Sequence, residues 1–226
     1  MAKANGYIIH ETATVVLIAT GFAAKSKNLK TGAMIQITAV RKDRHPTEAV
    51  KDGSDKAICF KCPFRPSLNN ETKCYVKTVH GPAKIWKKYS GVYGEGYHKL
   101  TDYSLFDGRA VRFGTYGEPV LLPLGVIKEI ASRASLWTGY THQWRNPMFQ
   151  GYKKYIMASC DEADYQKANA LGWRAFIVTK GAKRMPNSAT CPASKEMGKR
   201  VNCIDCGACS GIDGRGKRNI NIAQHK

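Results

Sequence analysis

Two apolar, β-branched runs lie in the first part of the chain, Thr14 to Thr20 and Met34 to Val40, and their valine, isoleucine and threonine content predicts two strands. The polar stretch between them holds Lys25, Lys27, Lys30 and Gly32 and reads as a basic connection. Arg41 to Lys56 is charged and contains Pro46, so a loop with at most a short helix is expected there. Pro82 to Tyr89 starts on proline and predicts a helix, with Gly91, Gly94 and Gly96 breaking whatever follows.

From Arg109 onward the pattern alternates between strand and helix. Ala110 to Thr115 predicts a strand, Tyr116 to Pro119 a turn and Leu124 to Ala134 a helix. Leu136 to Trp144, a short strand Tyr155 to Ser159, a helix from about Glu162 to Leu171 and a run Trp173 to Thr179 follow. Asp161 is the expected N-cap of that last helix and Gly172 its expected stop. Alternation of this kind argues for a parallel sheet with helices packed on it. Four parallel strands are distinct in the pattern. The expected fold class is therefore α/β: a partial, open βα barrel with parallel strands, preceded by a small β-rich N-terminal segment and carrying two cysteine metal-binding loops. One domain is expected over 1–226, with the β-rich segment at 1–58, the first cysteine loop and a helix at 59–108, the βα core at 109–190, and the second cysteine loop and a basic tail at 191–226.

Composition narrows the function classes. Of 226 residues, 43% are hydrophobic and 23% charged, which excludes a self-solvating disordered chain. The longest apolar run near the N-terminus, Thr14 to Ala19, is well short of the ~20 residues that cross a bilayer, and no cleavage signature follows it; a cytoplasmic protein with no membrane partner is expected. The 36 Lys plus Arg exceed the 17 Asp plus Glu by 19, a charge that favours a polyanionic partner such as nucleic acid or a nucleotide. A merely solubilising surface is the plainer alternative, since the basic residues are spread along the chain.

Seven of the eight cysteines fall into two spaced groups, Cys59-x2-Cys62-x11-Cys74 and Cys191-x11-Cys203-x2-Cys206-x2-Cys209, leaving Cys160 alone. Without an export signal, metal ligation is a better expectation than disulfides. A Cys-x2-Cys-x2-Cys run lets one loop surround a compact cluster, and the fourth ligand is often a cysteine followed by proline, as Cys191-Pro192 is. Zinc on four cysteines and free thiols are the competing readings. The first group has three cysteines and no evident fourth. Either zinc recruits His80 or Cys160, or a 4Fe-4S cluster keeps one iron without a protein ligand, open to a small molecule.

Loops leaving the C-terminal ends of parallel strands gather on one face, where sites are built. Those ends bring Thr115 to Glu118, His142 to Arg145, Ser159 to Asp161, and Thr179 to Lys180 into consideration. Glu118 suits an ammonium group, Arg145 or Lys180 a carboxylate or phosphate, and His142 proton transfer near neutral pH. Each also has a structural explanation: a strand-end histidine satisfies a carbonyl, Asp161 caps a helix, Lys180 is solvated. Alternation puts Thr138, Tyr140, His142 and Trp144 on one face, as core packing or as a stacking surface for nucleobases. The Lys84, Lys87 and Lys88 cluster and the stretch Gly214 to Arg218 read equally as phosphate contacts or as solvated surface.

Gly114 to Pro123, with Gly117-Glu118-Pro119 at its centre, resembles the Gly-Gly-Glu-Pro turn of radical S-adenosylmethionine (SAM) enzymes, with Tyr116 in place of the first glycine. Cys59 to Cys74 followed by Tyr75 is similar to a stretched form of that superfamily's three-cysteine cluster loop, with intervals of two and eleven residues where the usual ones are three and two. Cys59-Phe-Lys-Cys-Pro63, Cys74-Tyr-Val76, Trp137 to Arg145 and Cys191 to Cys209 together resemble a cysteine-rich family of tailed bacteriophages, which implies the cytoplasm of a host cell. The radical-SAM resemblance implies an open 4Fe-4S cluster on Cys59, Cys62 and Cys74 and a second, structural or electron-relaying centre on Cys191, Cys203, Cys206 and Cys209. It further implies SAM held with help from Gly117, Glu118 and Arg145, Glu118 and His142 as catalytic candidates, and a nucleic acid or nucleotide as substrate. The rival expectation is a zinc-stabilised, basic nucleic-acid-binding protein without catalysis; a host-protein interaction module is a third.

Overall fold

The computed structural model describes residues 4–24, 30–65, 74–194, 198 and 201–224; Lys25 and Lys27 of the basic connection lie outside the described residues. The protein has a mixed α/β architecture built on one open nine-stranded sheet in the order β1-β2-β3-β4-β5-β6-β7-β9-β8. Strands β1 (Gly6–Glu11), β2 (Val15–Thr20) and β3 (Ile35–Arg41) form an antiparallel meander. From β3 onward all pairing is parallel, through β4 (Ala110–Tyr116), β5 (Leu136–Thr141), β6 (Met157–Asp161), β7 (Ala175–Thr179) and β9 (Asn219–Ala223) to the short β8 (Ser188–Thr190) at the edge.

The pattern's count of four parallel strands is too low, for two physical reasons. β3 belongs to the parallel set, since Ile35 pairs with Val111 and Gln36 with Arg112, and a β-branched run looks the same whichever way its neighbour points. β9 lies in what reads as a polar tail because Asn219 and Asn221 alternate with Ile220 and Ile222. Both asparagines are buried and satisfied: Ala175 N donates to Asn219 Oδ1 at 2.8 Å, and Asn221 Nδ2 donates to the Lys183 carbonyl at 2.8 Å.

Period-two alternation gives the sheet two different faces. On one, Val111, Phe113, Ala158, Ala175 and Ile177 join the main core with Ile127 and Ile130 of α4 (Leu124–Arg133) and Tyr165 and Ala168 of α5 (Tyr165–Ala170). Burying a side chain such as Ile177 stabilises the fold by about 1.5–3 kcal/mol. On the other, Met157, Phe176, Ile220 and Ile222 form a smaller cluster with Cys191, Cys209 and Tyr140. Helix α5 begins later than the pattern predicts. Asp161 instead caps the turn before it, accepting from Ala163 N and Asp164 N at 3.0 Å each, while Gly172, at φ 79°, ends the segment as expected. Among the described residues no helix is long and apolar enough to cross a membrane.

Candidate functional site

The first cysteine loop follows β3. Helix α1 (Pro46–Lys51) leads to the one-turn α2 (Lys56–Cys59), which ends at Phe60 with a positive φ of 48°. The loop is held by a buried ion pair: Arg65 Nη2 donates to Asp55 Oδ1 at 2.5 Å and its Nε to both Asp55 oxygens at 3.2 Å. Arg65 also donates to the carbonyls of Phe60 at 3.0 Å and Gly53 at 2.8 Å, closing residues 53–65 around Cys59 and Cys62. The loop is fastened to the end of β4 where Glu118 N donates to the Ile58 carbonyl at 2.8 Å. Gly117 makes that approach possible: it has φ 78°, and a Cβ there would lie 2.8 Å from Ala39 Cβ and 3.2 Å from the Ile58 carbonyl.

Cys59, Cys62, Cys74, Gly117, Glu118 and His142 line one cavity of about 710 Å³ at the C-terminal ends of the strands, with Tyr140, Phe176, Val178 and Ile222 as its apolar wall. Burial, reinforced by Cys62, Asp55, Glu118 and Cys74, pushes the Cys59 thiol well above its ordinary range. Cys74 is raised by the same cause, burial first and then the neighbouring Cys62. Three thiols that raise one another's pKa are poised for a cation.

Glu118 is buried and fully engaged. Thr141 Oγ1 donates to its Oε2 at 2.5 Å, His142 N reaches both oxygens at 3.2 Å, and His142 Nδ1 donates to Oε1 at 2.9 Å. The carboxylate thus fixes the ring, and His142 Nε2 is buried without a hydrogen-bond partner. Donor atoms of Cys62, Glu118 and His142 all lie within 4.8 Å of one another; among the described residues neither cysteine group supplies such a set by itself. Burial disfavours the imidazolium, but the hydrogen bonds to Cys62 and Glu118 outweigh it and raise its pKa to about 10. Phe64 closes one side, its ring edge-on to the imidazole at 5.3 Å.

The other expected residues divide clearly. Arg145 is not at the cavity: its guanidinium pairs with Asp164 and lies over the Trp144 ring at 4.0 Å. The alternation of β5 carries as far as His142 and then fails, because Trp144 turns into the main core and donates to the Ser159 carbonyl at 3.1 Å. Neither His80 nor Cys160 supplies the missing fourth donor. His80 is exposed at the start of α3 (Gly81–Tyr89), and Cys160 lies on the opposite face of the sheet, its thiol pushed up to about 12 by burial and then by Asp161 and Asp164. Lys87 and Lys88 rest over the rings of Tyr93 and Tyr97.

The second group is assembled at the base of the smaller cluster. Cys191 N donates to the Asn221 carbonyl at 2.8 Å, Cys203 N to the Lys30 carbonyl at 2.8 Å, and Gly139 N to the Cys209 carbonyl at 2.9 Å. The one-turn α6 (Cys203–Cys206) ends at Gly207 in the left-handed conformation. Arg174 donates to the carbonyls of Ala208, Ser210, Gly211 and Arg218, which fixes the loop beyond it. Burial raises the Cys209 thiol, and Cys191, Cys203 and Cys206 raise it further, so the four thiols face one another.

Sequence spacing found the seven cysteines, and the turn found Glu118. It missed Asp55, Arg65, Thr141, Arg112 and Arg174, which carry no motif and meet their partners only in the folded chain. No protein-family model, curated protein or solved structure matches the chain.

Proposed function

We propose that the protein is an iron-sulfur enzyme of the radical-SAM type, with Cys59, Cys62 and Cys74 holding an open 4Fe-4S cluster and the parallel strands β3 to β7 and β9 acting as a partial βα barrel. The observation that carries this reading is the cavity of about 710 Å³, onto which the three thiols and the Gly117-Glu118 turn open together. The order of parts supports it: the cysteine loop follows the first parallel strand and the Gly-Glu-Pro turn follows the second. The donor set suits the group, because soft thiolates select iron-sulfur clusters, and the three thiols do not converge to the spacing of a single ion.

When bound, such a cluster supplies the electron that cleaves SAM. The chain's own residues bind, orient and exclude water. Glu118 places negative charge at the cavity, suited to the SAM ammonium, and Thr141 and His142 hold its carboxylate in one orientation. His142 Nε2, fixed through Nδ1 by Glu118, is aimed toward Cys62 and adjusts the cluster's edge. Tyr140, Phe176, Val178 and Ile222 keep the interior apolar. A nucleotide or nucleic acid is the substrate class that the net charge of +19 favours.

Anaerobically purified protein should be brown, contain iron and sulfide, and cleave SAM after reduction, whereas C59S/C62S should lose the cleavage. Iron and sulfide near zero, or no cleavage by reduced, cluster-loaded protein, would overturn the reading. A second reading is favoured by one observation, the Cys62, Glu118 and His142 donors within 4.8 Å of one another, in which Glu118 orients His142 as it would beside a zinc ion. That reading is a zinc-stabilised, basic nucleic-acid-binding protein. It requires colourless protein with stoichiometric zinc and salt-sensitive retention on heparin.

A further inference from the structure

We propose that Cys191, Cys203, Cys206 and Cys209 hold a second, closed iron-sulfur centre, and that Arg112 is the buried cation that balances its negative charge. The two cysteine stretches come from opposite sides of β9. Cys191 follows β8 and is tied to β9 through Asn221, while Cys209 is tied to β5 through Gly139. Gly207 and Ala208 are small and leave room beside the sulfurs, and Arg174 holds the carbonyls that follow. With four thiols converging, every coordination position is filled by the protein. That is the arrangement of a structural or electron-carrying centre rather than of one that takes a substrate.

Arg112 supplies the independent observation. It projects from β4 on the cavity side and is only 6% exposed. Its Nη2 donates to Tyr140 Oη at 2.7 Å and to Tyr75 Oη at 3.2 Å, and its guanidinium lies 5.3 Å from the centre of the Tyr140 ring. It touches no carboxylate among the described residues. A guanidinium cannot shed its proton, and a buried cation without an anion is strongly disfavoured. The acidic groups facing it are those two phenols and the thiols of Cys203 and Cys209. Burial holds the Tyr140 phenol neutral. Thiols become thiolates when they bind metal, so a metal-thiolate centre is what makes this arginine electrostatically sensible.

Iron-sulfur is favoured over zinc by spacing as well as by motif. Tetrahedral zinc, with Zn–S bonds of about 2.3 Å, draws its sulfurs to about 3.8 Å from one another. No three of these four thiols lie within 4.8 Å of one another.

The experiment uses the full chain purified anaerobically, in wild-type, C59S/C62S, C203S/C206S and C59S/C62S/R112Q forms. Iron and sulfide should fall by roughly half in C59S/C62S, and its reduced electron paramagnetic resonance signal should be that of one centre. Adding R112Q should shift that centre's midpoint potential to more negative values, because an added electron loses a neighbouring cation, and R112K should restore it in part. C59S/C62S free of iron while wild type is loaded would overturn the second centre and leave the SAM reading intact. Zinc in place of iron in C59S/C62S would overturn its identity, and an unmoved potential would overturn the role of Arg112. Conversely, cluster-loaded wild type that never cleaves SAM, with C59S/C62S still holding iron, would sink the SAM reading alone. Should C203S/C206S fail to fold, the C59S/C62S measurements decide the proposal without it.

Discussion

The two cysteine loops press on the same face of the sheet and are built in opposite ways. The first, at residues 53–65, is closed by a side-chain ion pair, Asp55 with Arg65, and borders empty volume. The second is sewn to strands by backbone hydrogen bonds, its carbonyls are gathered by Arg174, and it sits against Met157, Phe176 and Ile220. A loop that faces a cavity has no packed neighbour on that side to define its shape, so it depends on a strong local clamp. A loop built into the sheet takes its shape from the sheet.

If that contrast holds, breaking the first clamp is the most damaging single change. Arg65→Ala leaves Asp55 buried and unpaired and should cost about 3–5 kcal/mol in chemical denaturation, with loss of whatever metal Cys59 and Cys62 bind. Arg174→Met removes donors from four carbonyls that keep partial access to other partners, and should cost about 1–3 kcal/mol; an equal or larger loss than for Arg65→Ala would erase the distinction between the loops. Cys160→Ala sharpens the comparison from the far side of the sheet: it should cost about 1 kcal/mol of buried contact and leave iron content unchanged, since that thiol meets neither loop.

The smallest effect concerns acid. Glu11 accepts from Lys42 at 2.8 Å and Lys99 at 2.7 Å, and these two hydrogen bonds, Lys42 first, lower its pKa from 4.5 to about 2. A depressed carboxylate contributes stability above its unfolded pKa and loses it as pH falls through the folded one. The difference between wild type and E11Q should therefore be full above pH 4.5 and vanish toward pH 2. The pair is largely in solvent, so the difference should stay under about 1 kcal/mol. A gap that persists below pH 2 would mean that Glu11 acts through something other than its charge.

Much of the scaffold was legible because β4, α4, β5 and β7 are continuous apolar or amphipathic segments, whose periodicity is a local property. β3 was legible as a strand but not as a parallel one, because pairing direction is decided by β4, roughly seventy residues later. β9 was hidden by its asparagines, whose partners Lys183 and Ala175 appear only in the fold. The site shows the same division. Cysteine spacing and the Gly117-Glu118-Pro119 turn are local signals, whereas the Glu118 to His142 hydrogen bond spans twenty-four residues and the clamps at Arg65 and Arg174 look like any other basic side chain. Trp144 misled for a related reason: strict alternation lasts only as long as the strand, and β5 ends at Thr141.

The position of β9 bears on how the molecule is made. Its residues Asn219–Ala223 are all buried, and it lies between β7 and β8, both of which precede it in the chain. During synthesis those two strands leave the ribosome before the segment that separates them, so β7 keeps a bare, hydrogen-bonding edge until residue 223 has emerged. Release from translation and completion of the sheet are therefore nearly simultaneous, and the exposed interval is when a nascent copy is most open to pairing with its neighbours on a polysome.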